Sequence, residues 1–120
     1  MDYQKRNPLT DSEKEFYVNL LQLCPPGMAV FTKIKLAELV KPTADPGSDK
    51  FYVDVKKILS YTVDFVVYDL NSNCTVAVLE FQPDGESNKE KEVLLNQCSL
   101  ELKFKYFRLN TLVDLYKIDF

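Results

Sequence analysis

The sequence Val63-Asp64-Phe65-Val66-Val67-Tyr68, together with Val76-Ala77-Val78-Leu79-Glu80-Phe81, decides the fold of this 120-residue chain. Both runs are rich in β-branched and aromatic residues, and the segment between them contains two asparagines and a serine. This pattern predicts two strands joined in a hairpin. Since both strands carry apolar residues on both faces, we expect them to lie at the centre of a sheet that is covered on two sides.

One acid interrupts each strand, Asp64 in the first and Glu80 in the second. A hairpin that is symmetric about Ser72 pairs residue 68 with 76 and residue 64 with 80, which places both carboxylates on one face. Gln82 shares that face, whereas a slip of one residue would separate the two acids. A divalent cation would relieve the repulsion between the carboxylates. The alternative is a pair of structural acids that are satisfied by the backbone or by a lysine.

Further elements flank the hairpin in the order α-β-α-β-β-α-β-α. The sequence therefore predicts one α/β domain over residues 1–120. The predicted elements are a helix opened by a Thr10–Glu13 capping box and ended by Pro25, a strand at Val30–Leu36 running into a short helical turn over Ala37–Val40, a helix capped by Ser48 or Asp49, the hairpin, a helix at Lys89–Leu100, a strand at Lys103–Leu109, and a short helix at Leu112–Tyr116 capped by Asn110 or Thr111.

Composition excludes several classes of protein. There is no histidine, and Cys24, Cys74 and Cys98 are widely spaced, so we expect no zinc site but small buried thiols in a reducing compartment. No apolar run is long enough to span a membrane, and residues 1–8 lack the apolar stretch of a signal peptide, so we expect a cytoplasmic protein. The net charge of −3 argues against a protein that binds nucleic acid through the overall charge of its surface. Such a contact would be local, metal-assisted or supplied by a protein partner.

The acids and their surroundings resemble known nucleases. Asp64, the hairpin and Glu80-Phe81-Gln82 resemble the core motif of PD-(D/E)XK nucleases, with glutamine in the lysine position. From about Leu9 to the last strand, the chain also resembles a small bacterial restriction-endonuclease-like domain family of unknown function. The resemblance implies a mixed sheet of about four strands flanked by helices, and hydrolysis of phosphodiester bonds in DNA or RNA, with DNA favoured. The motifs that carry it are Leu9-Thr10-x-x-Glu13-x-x-Phe16-Tyr17, Val63-Asp64-Phe65-Val66 and Val78-Leu79-Glu80.

The resemblance also implies roles for single residues. Asp64 and Glu80, joined by the backbone carbonyl of Phe81, would bind Mg²⁺ (or Mn²⁺), which polarises the scissile phosphate and activates water. Glu13 matches a recurrent glutamate of the family that would support the metal, although the capping box explains this residue equally. Gln82 would position the water, but it supplies no positive charge.

Two basic features have more than one interpretation. Lys91 lies on the inward face of its helix and is a candidate substitute for the missing lysine; the alternative is a lysine whose stem covers the start of the helix. The segment Lys103–Arg108 alternates basic and aromatic residues, which fits a phosphate-binding groove or, as we favour, a half-exposed edge strand.

Three functions remain open at this point. The first is a metal-dependent nuclease, and the second is a catalytically inactive module of the same fold that binds nucleic acid or a protein. Gln82, the absence of histidine and the negative charge favour the second. The third is an unrelated α/β interaction protein in which Asp64 and Glu80 are structural.

Overall fold

A four-stranded mixed sheet forms the centre of the computed structural model, which describes residues 2–119. The hairpin strands are its two central strands, as their apolar sequences predict. The first three strands pair antiparallel, and the last runs parallel to the third at the opposite edge. The strands are β1 (Met28–Lys35), β2 (Thr62–Asp69), β3 (Cys74–Phe81) and β4 (Lys105–Leu109), in the spatial order β1-β2-β3-β4.

Four helices flank the sheet. Side-chain caps begin three of them at the positions that the sequence indicated, because the oxygens of Thr10, Ser48 and Thr111 accept hydrogen bonds from the first turn. The predicted element order leaves out a 3₁₀ turn, Leu36–Glu38, between the first strand and the second helix; it begins one residue earlier than the helical turn predicted over Ala37–Val40. The helices are α1 (Asp11–Leu23), α2 (Asp49–Ser60), α3 (Lys89–Leu102) and α4 (Leu112–Leu115).

The fourth strand is shorter than predicted because the helix before it is longer. α3 continues to Leu102, and Lys103 ends it in the left-handed conformation with a φ of 60°. β4 therefore begins at Lys105 instead of Lys103. α3 forms the crossover that makes β4 parallel to β3.

The sheet separates two apolar cores. On one face, α1 and α4 bury Phe16, Leu20 and Leu115, and the ring of Phe16 lies 4.7 Å from that of Phe65 and 4.6 Å from that of Phe81. On the other face, the 3₁₀ turn, α2 and α3 cover the strands with the side chains of Leu36, Ile58 and Leu95, which pack around Val66 and Val78. Since side chains alternate along a strand, this second face also carries Asp64 and Glu80.

The hairpin register is regular near the two acids and shifts near the turn. Phe65 lies opposite Leu79 and Val67 opposite Ala77, which is the predicted register and, continued by one residue, sets position 64 against position 80. Beyond Val67 a β-bulge pairs Tyr68 with Thr75, so the predicted pairing of residues 68 and 76 is wrong. The pairing of Asp69 with Cys74 at the turn would by itself set position 64 against position 79, so the extra residue of the bulge is what sets position 64 against position 80.

The cysteines are free, but their burial differs from the prediction. Cys24 and Cys98 are half-buried, whereas Cys74 is exposed because it begins β3 directly after the hairpin turn. Within residues 2–119, no helix combines the length and the apolar character that crossing a membrane requires.

Candidate functional site

The carboxyl groups of Asp64 and Glu80 lie side by side on the face of the sheet that α3 covers. Their side chains are within hydrogen-bonding reach of each other. The Asp64 Oδ2 also accepts a hydrogen bond of 2.9 Å from the backbone nitrogen of Phe81. The central strands therefore bring together the two acids that the symmetric hairpin predicts.

Lys91 reaches this acid pair from the first turn of α3. Its Nζ lies 2.5 Å from Glu80 Oε1 and donates a hydrogen bond of 2.6 Å to the backbone oxygen of Thr62. Asn88 caps the helix by accepting a hydrogen bond from the backbone nitrogen of Lys91, which sets where the helix begins and which way this turn faces. Lys91 thus points inward, as its place on the apolar face of α3 predicts.

Burial and the neighbouring charges bring the pKa of the Glu80 carboxyl group close to neutral pH. Its side chain is 2% exposed. Burial raises the pKa of Glu80 to about 7; the neighbouring Asp64 adds to this rise, and the Lys91 ammonium opposes it. Among the described residues, Glu80 Oε1 receives no well-directed hydrogen bond although Lys91 Nζ is close. The carboxyl group is therefore able to take up or release a proton near neutral pH.

A second buried polar group, which we did not predict, adjoins the first. Arg108 lies opposite Glu80 in the β3–β4 ladder, and its Nη1 is 2.9 Å from Oε2 of Glu92, a nearly buried acid on α3. Tyr106 precedes Arg108 by two residues on the same face of β4. Its hydroxyl is buried without a hydrogen-bond partner in residues 2–119, and burial followed by the charge of Glu80 raises its pKa. The one sequence feature that pointed to this group is the alternation of basic and aromatic residues over Lys103–Arg108.

Gln82 and Glu13 have different surroundings from the acid pair. Gln82 follows β3 directly and is half-buried, and its side chain forms no hydrogen bond with any residue the structure describes. Glu13 closes the capping box with Thr10 and lies 3.5 Å from Lys33 Nζ. Burial would raise the pKa of Glu13, but the hydrogen bond from Thr10 and the charge of Lys33 lower it overall. No hydrogen bond or ion pair within residues 2–119 links Glu13 to Asp64 or Glu80.

The carboxylate oxygens of the acid pair could hold a magnesium ion only in a site with few protein ligands. Mg²⁺ prefers oxygen ligands and commonly takes one or two carboxylates while it keeps several waters. Asp64 and Glu80 are two such carboxylates; Glu80 Oε1 is buried, accepts no well-directed hydrogen bond from the described residues, and is paired with Lys91 Nζ at 2.5 Å. Over residues 2–119, no group of three or more acidic, cysteine or histidine side chains is placed so that it could hold a metal ion. An ion at this site would therefore depend on these two carboxylates, the carbonyl of Phe81 and water.

Comparisons with known proteins give one match. No curated protein and no solved structure matches the chain. A family model matches residues 5–100, which contain Asp64, Glu80 and Lys91 but not β4 with Tyr106 and Arg108. The chain therefore belongs to the family that is described as a protein of unknown function, DUF2726.

Proposed function

We propose that this chain is a metal-dependent nuclease domain with a restriction-endonuclease-like core, and that it hydrolyses phosphodiester bonds in nucleic acid. The observation that carries the proposal is the placement of two adjacent carboxyl groups, Asp64 and Glu80, beneath an ammonium group, Lys91 Nζ, 2.5 Å from Glu80 Oε1. The mixed four-stranded sheet with helices on both faces agrees with the fold that the PD-(D/E)XK resemblance implies.

Each residue of the site has a distinct task in this proposal. Asp64 and Glu80, with the carbonyl of Phe81, would hold Mg²⁺ or Mn²⁺, which when bound polarises the scissile phosphate and lowers the pKa of an attacking water. Lys91 supplies the positive charge that stabilises the developing negative charge on the phosphate, a task that Gln82 is unable to perform. Gln82, two residues beyond Glu80, would orient the water through its side-chain amide, as the resemblance implies.

The nuclease resemblance indicates the substrate, the net charge limits how it is contacted, and the cysteines indicate the compartment. We favour DNA over RNA as the substrate. The net charge of −3 requires that contact with it be local or be helped by a basic protein partner. We also propose a cytoplasmic location, since free thiols such as those of Cys24, Cys74 and Cys98 are typical of a reducing compartment.

A second candidate function is a non-catalytic module of the same fold that binds nucleic acid or a protein. The ion pair between Glu80 and Lys91 favours it, because the lysine already compensates the buried carboxylate without a metal ion. This candidate predicts binding of nucleic acid without cleavage.

A cleavage assay on the purified protein tests the proposal. Supercoiled plasmid, single-stranded DNA and single-stranded RNA are each incubated with Mg²⁺, Mn²⁺ or EDTA. We expect cleavage that requires the metal and that falls by about 10²-fold or more in Asp64→Asn and Glu80→Gln, since each removes a charged ligand. Glu86→Gln is the matched control, because Glu86 is an exposed acid in the loop before α3.

Two outcomes would overturn the proposal. One is the absence of cleavage of all three substrates with both metals, with folding of the protein verified by cooperative thermal unfolding. The other is cleavage that both Asp64→Asn and Glu80→Gln leave unchanged, which would place the activity elsewhere or in a contaminant. Binding without cleavage would favour the second candidate.

A further inference from the structure

Arg108 stands beside the candidate site and is held there by a buried acid. The parallel register places it opposite Glu80, and adjacent strands lie about 4.8 Å apart. Its Nη1 contacts Glu92 Oε2 at 2.9 Å, and the Glu92 side chain is only 8% exposed. The same face therefore carries the acid pair and, one strand further, an arginine with a defined orientation.

The pair of Arg108 and Glu92 costs more free energy to form than an ordinary surface ion pair, because Glu92 is nearly buried. Burying the Glu92 carboxylate incurs a desolvation penalty, and its Oε1 has no hydrogen-bond partner in the described chain. Arg108 keeps 40% of its side chain exposed, and Glu92 is the only side chain in residues 2–119 that pairs with it. A guanidinium has five N–H donors, so most of them remain available beside the site.

We propose that Arg108, oriented by Glu92, binds a backbone phosphate of nucleic acid next to the phosphate at Asp64 and Glu80. The proposal rests on the proposed nuclease function and names a substrate contact for it. The planar fork of arginine matches two phosphate oxygens, and holding the fork in place before binding lowers the entropic cost of the contact. Glu92 is a positioning residue in this scheme, and Arg108 is the residue that touches the phosphate.

The opposite face of the same strand offers a comparison. Lys105 lies three residues before Arg108 and therefore points to the other side of the sheet, where its Nζ donates to the backbone oxygen of Asp119 at 2.8 Å. The alternation of basic and aromatic residues in β4 thus does not form one basic groove. It delivers a single positive side chain, Arg108, to the face of the acid pair.

A purely structural role for the Arg108–Glu92 pair makes a different prediction. If the pair only stabilises the packing of α3 against β4, its removal lowers stability and leaves the affinity for nucleic acid unchanged. If Arg108 contacts phosphate, its removal weakens binding and also reduces the salt dependence of binding, because fewer counterions are released.

Fluorescence anisotropy with a labelled 20-nucleotide single-stranded DNA, measured in EDTA at several salt concentrations, tests the inference without requiring cleavage. The main variant is the double substitution Arg108→Gln with Glu92→Gln. It removes one positive and one negative side chain, so the net charge stays at −3 and no buried charge is left unpaired. The matched control is Lys50→Gln with Asp54→Asn, which removes an exposed ion pair of 2.8 Å on α2 and also preserves the net charge.

We expect the double variant at Arg108 and Glu92 to bind about tenfold more weakly than the wild type, the loss of one charge-assisted bidentate contact. The slope of log K against log salt should fall in magnitude by about 0.7 for a single strand. The control double variant should match the wild type in both respects. Arg108→Lys keeps the charge but loses the planar guanidinium, so its affinity should lie between those of the wild type and the Arg108 and Glu92 double variant. If the double variant does not fold, Arg108→Lys tests the inference instead.

The outcomes separate this inference from the nuclease proposal. Equal affinity and equal salt slope in the wild type and the Arg108 variants would overturn the inference, even if the protein cleaves DNA. Binding that depends on Arg108 in a protein that cleaves no nucleic acid with Mg²⁺ or Mn²⁺ would support the phosphate contact and overturn the nuclease proposal. Wild-type protein that binds no single-stranded DNA at low salt would overturn the inference.

Discussion

Glu80 Oε1 lies 2.5 Å from Lys91 Nζ, and this contact joins the end of β3 to the first turn of α3. Glu80 is almost fully buried and Lys91 keeps only 17% of its side chain exposed. Breaking a buried ion pair from one side leaves an uncompensated charge, which costs far more than breaking an exposed pair. The contact therefore has consequences for stability, for pH dependence and for metal binding.

Removal of the lysine should destabilise the protein in a pH-dependent manner. We expect Lys91→Met to lower the free energy of unfolding at pH 8 by about 3 kcal/mol, because Glu80 must then stay charged without compensation or take up a proton. At pH 5 the loss should be smaller, since Glu80 is already neutral there. Urea unfolding at both pH values measures the difference. Lys50→Met breaks the exposed pair with Asp54 and should have no measurable effect; equal losses in the two variants would contradict the prediction.

The raised pKa of Glu80 predicts that stability falls as the pH rises from about 4.5 to about 7. The pKa of an unperturbed glutamate is 4.5 and that of Glu80 in the folded protein is about 7. The folded protein then binds the proton more tightly than the unfolded chain, so the contribution is fully present below 4.5 and is lost as the pH passes through 7.

The rise in the pKa of Glu80 also sets the size of this pH effect, and a variant without the carboxyl group serves as its control. We expect the wild type to lose about 2 to 3 kcal/mol of unfolding free energy between pH 5 and pH 8 from this group alone. Glu80→Gln should flatten the profile in that range. The lowered pKa values of Glu13, Asp69 and Asp114 act in the opposite direction, but below this range. A wild-type profile parallel to that of Glu80→Gln would show that the pKa of Glu80 is not raised.

Binding of Mn²⁺ or Mg²⁺ should be coupled to the release of a proton. A metal ion requires the charged form of Glu80, so below pH 7 the affinity should rise by up to about tenfold per pH unit and then level off. Calorimetric titrations in two buffers with different ionisation enthalpies measure the number of protons released, which should approach one at pH 6 and zero at pH 8. Asp64→Asn and Glu80→Gln should abolish binding, whereas Glu86→Gln should not. Binding that survives both of the first two substitutions would place the ion at another site.

Removal of the Tyr106 hydroxyl should stabilise the protein. This hydroxyl is buried and has no hydrogen-bond partner among the described residues, and burying an unsatisfied polar group is unfavourable. We expect Tyr106→Phe to raise the free energy of unfolding by about 1 kcal/mol. Tyr52→Phe is the control, because Tyr52 is largely exposed and its change should be neutral. A destabilised Tyr106→Phe protein would show that the hydroxyl has a partner, such as an internal water.

The local features of this fold were predictable because each depends on residues near one another in the chain. Thr10 and Glu13 form a capping box through bonds that span three residues, and Ser48 begins α2 in a similar way. The central strands were recognisable from apolar residues on both faces. The predicted pairing of Phe65 with Leu79 is confirmed, although a bulge and not a symmetric connection produces it. The inward direction of Lys91 follows from helical periodicity alone.

The remainder was decided by contacts between elements that are distant in the sequence. Glu92 follows Lys91 in an ordinary charged helix start, and only the packing of α3 over β4 makes it a buried partner of Arg108. The bulge beyond Val67 depends on how the hairpin turn closes, which the strand pattern does not encode. The sequence by itself determined which elements form, because periodicity and helix caps are local. That Asp64 and Glu80 share a face depends on the strand register, which the bulge beyond Val67 sets. Which cation compensates Glu80, and which acid orients Arg108, was decided by the tertiary structure, because burial and charge pairing depend on how the helices cover the sheet.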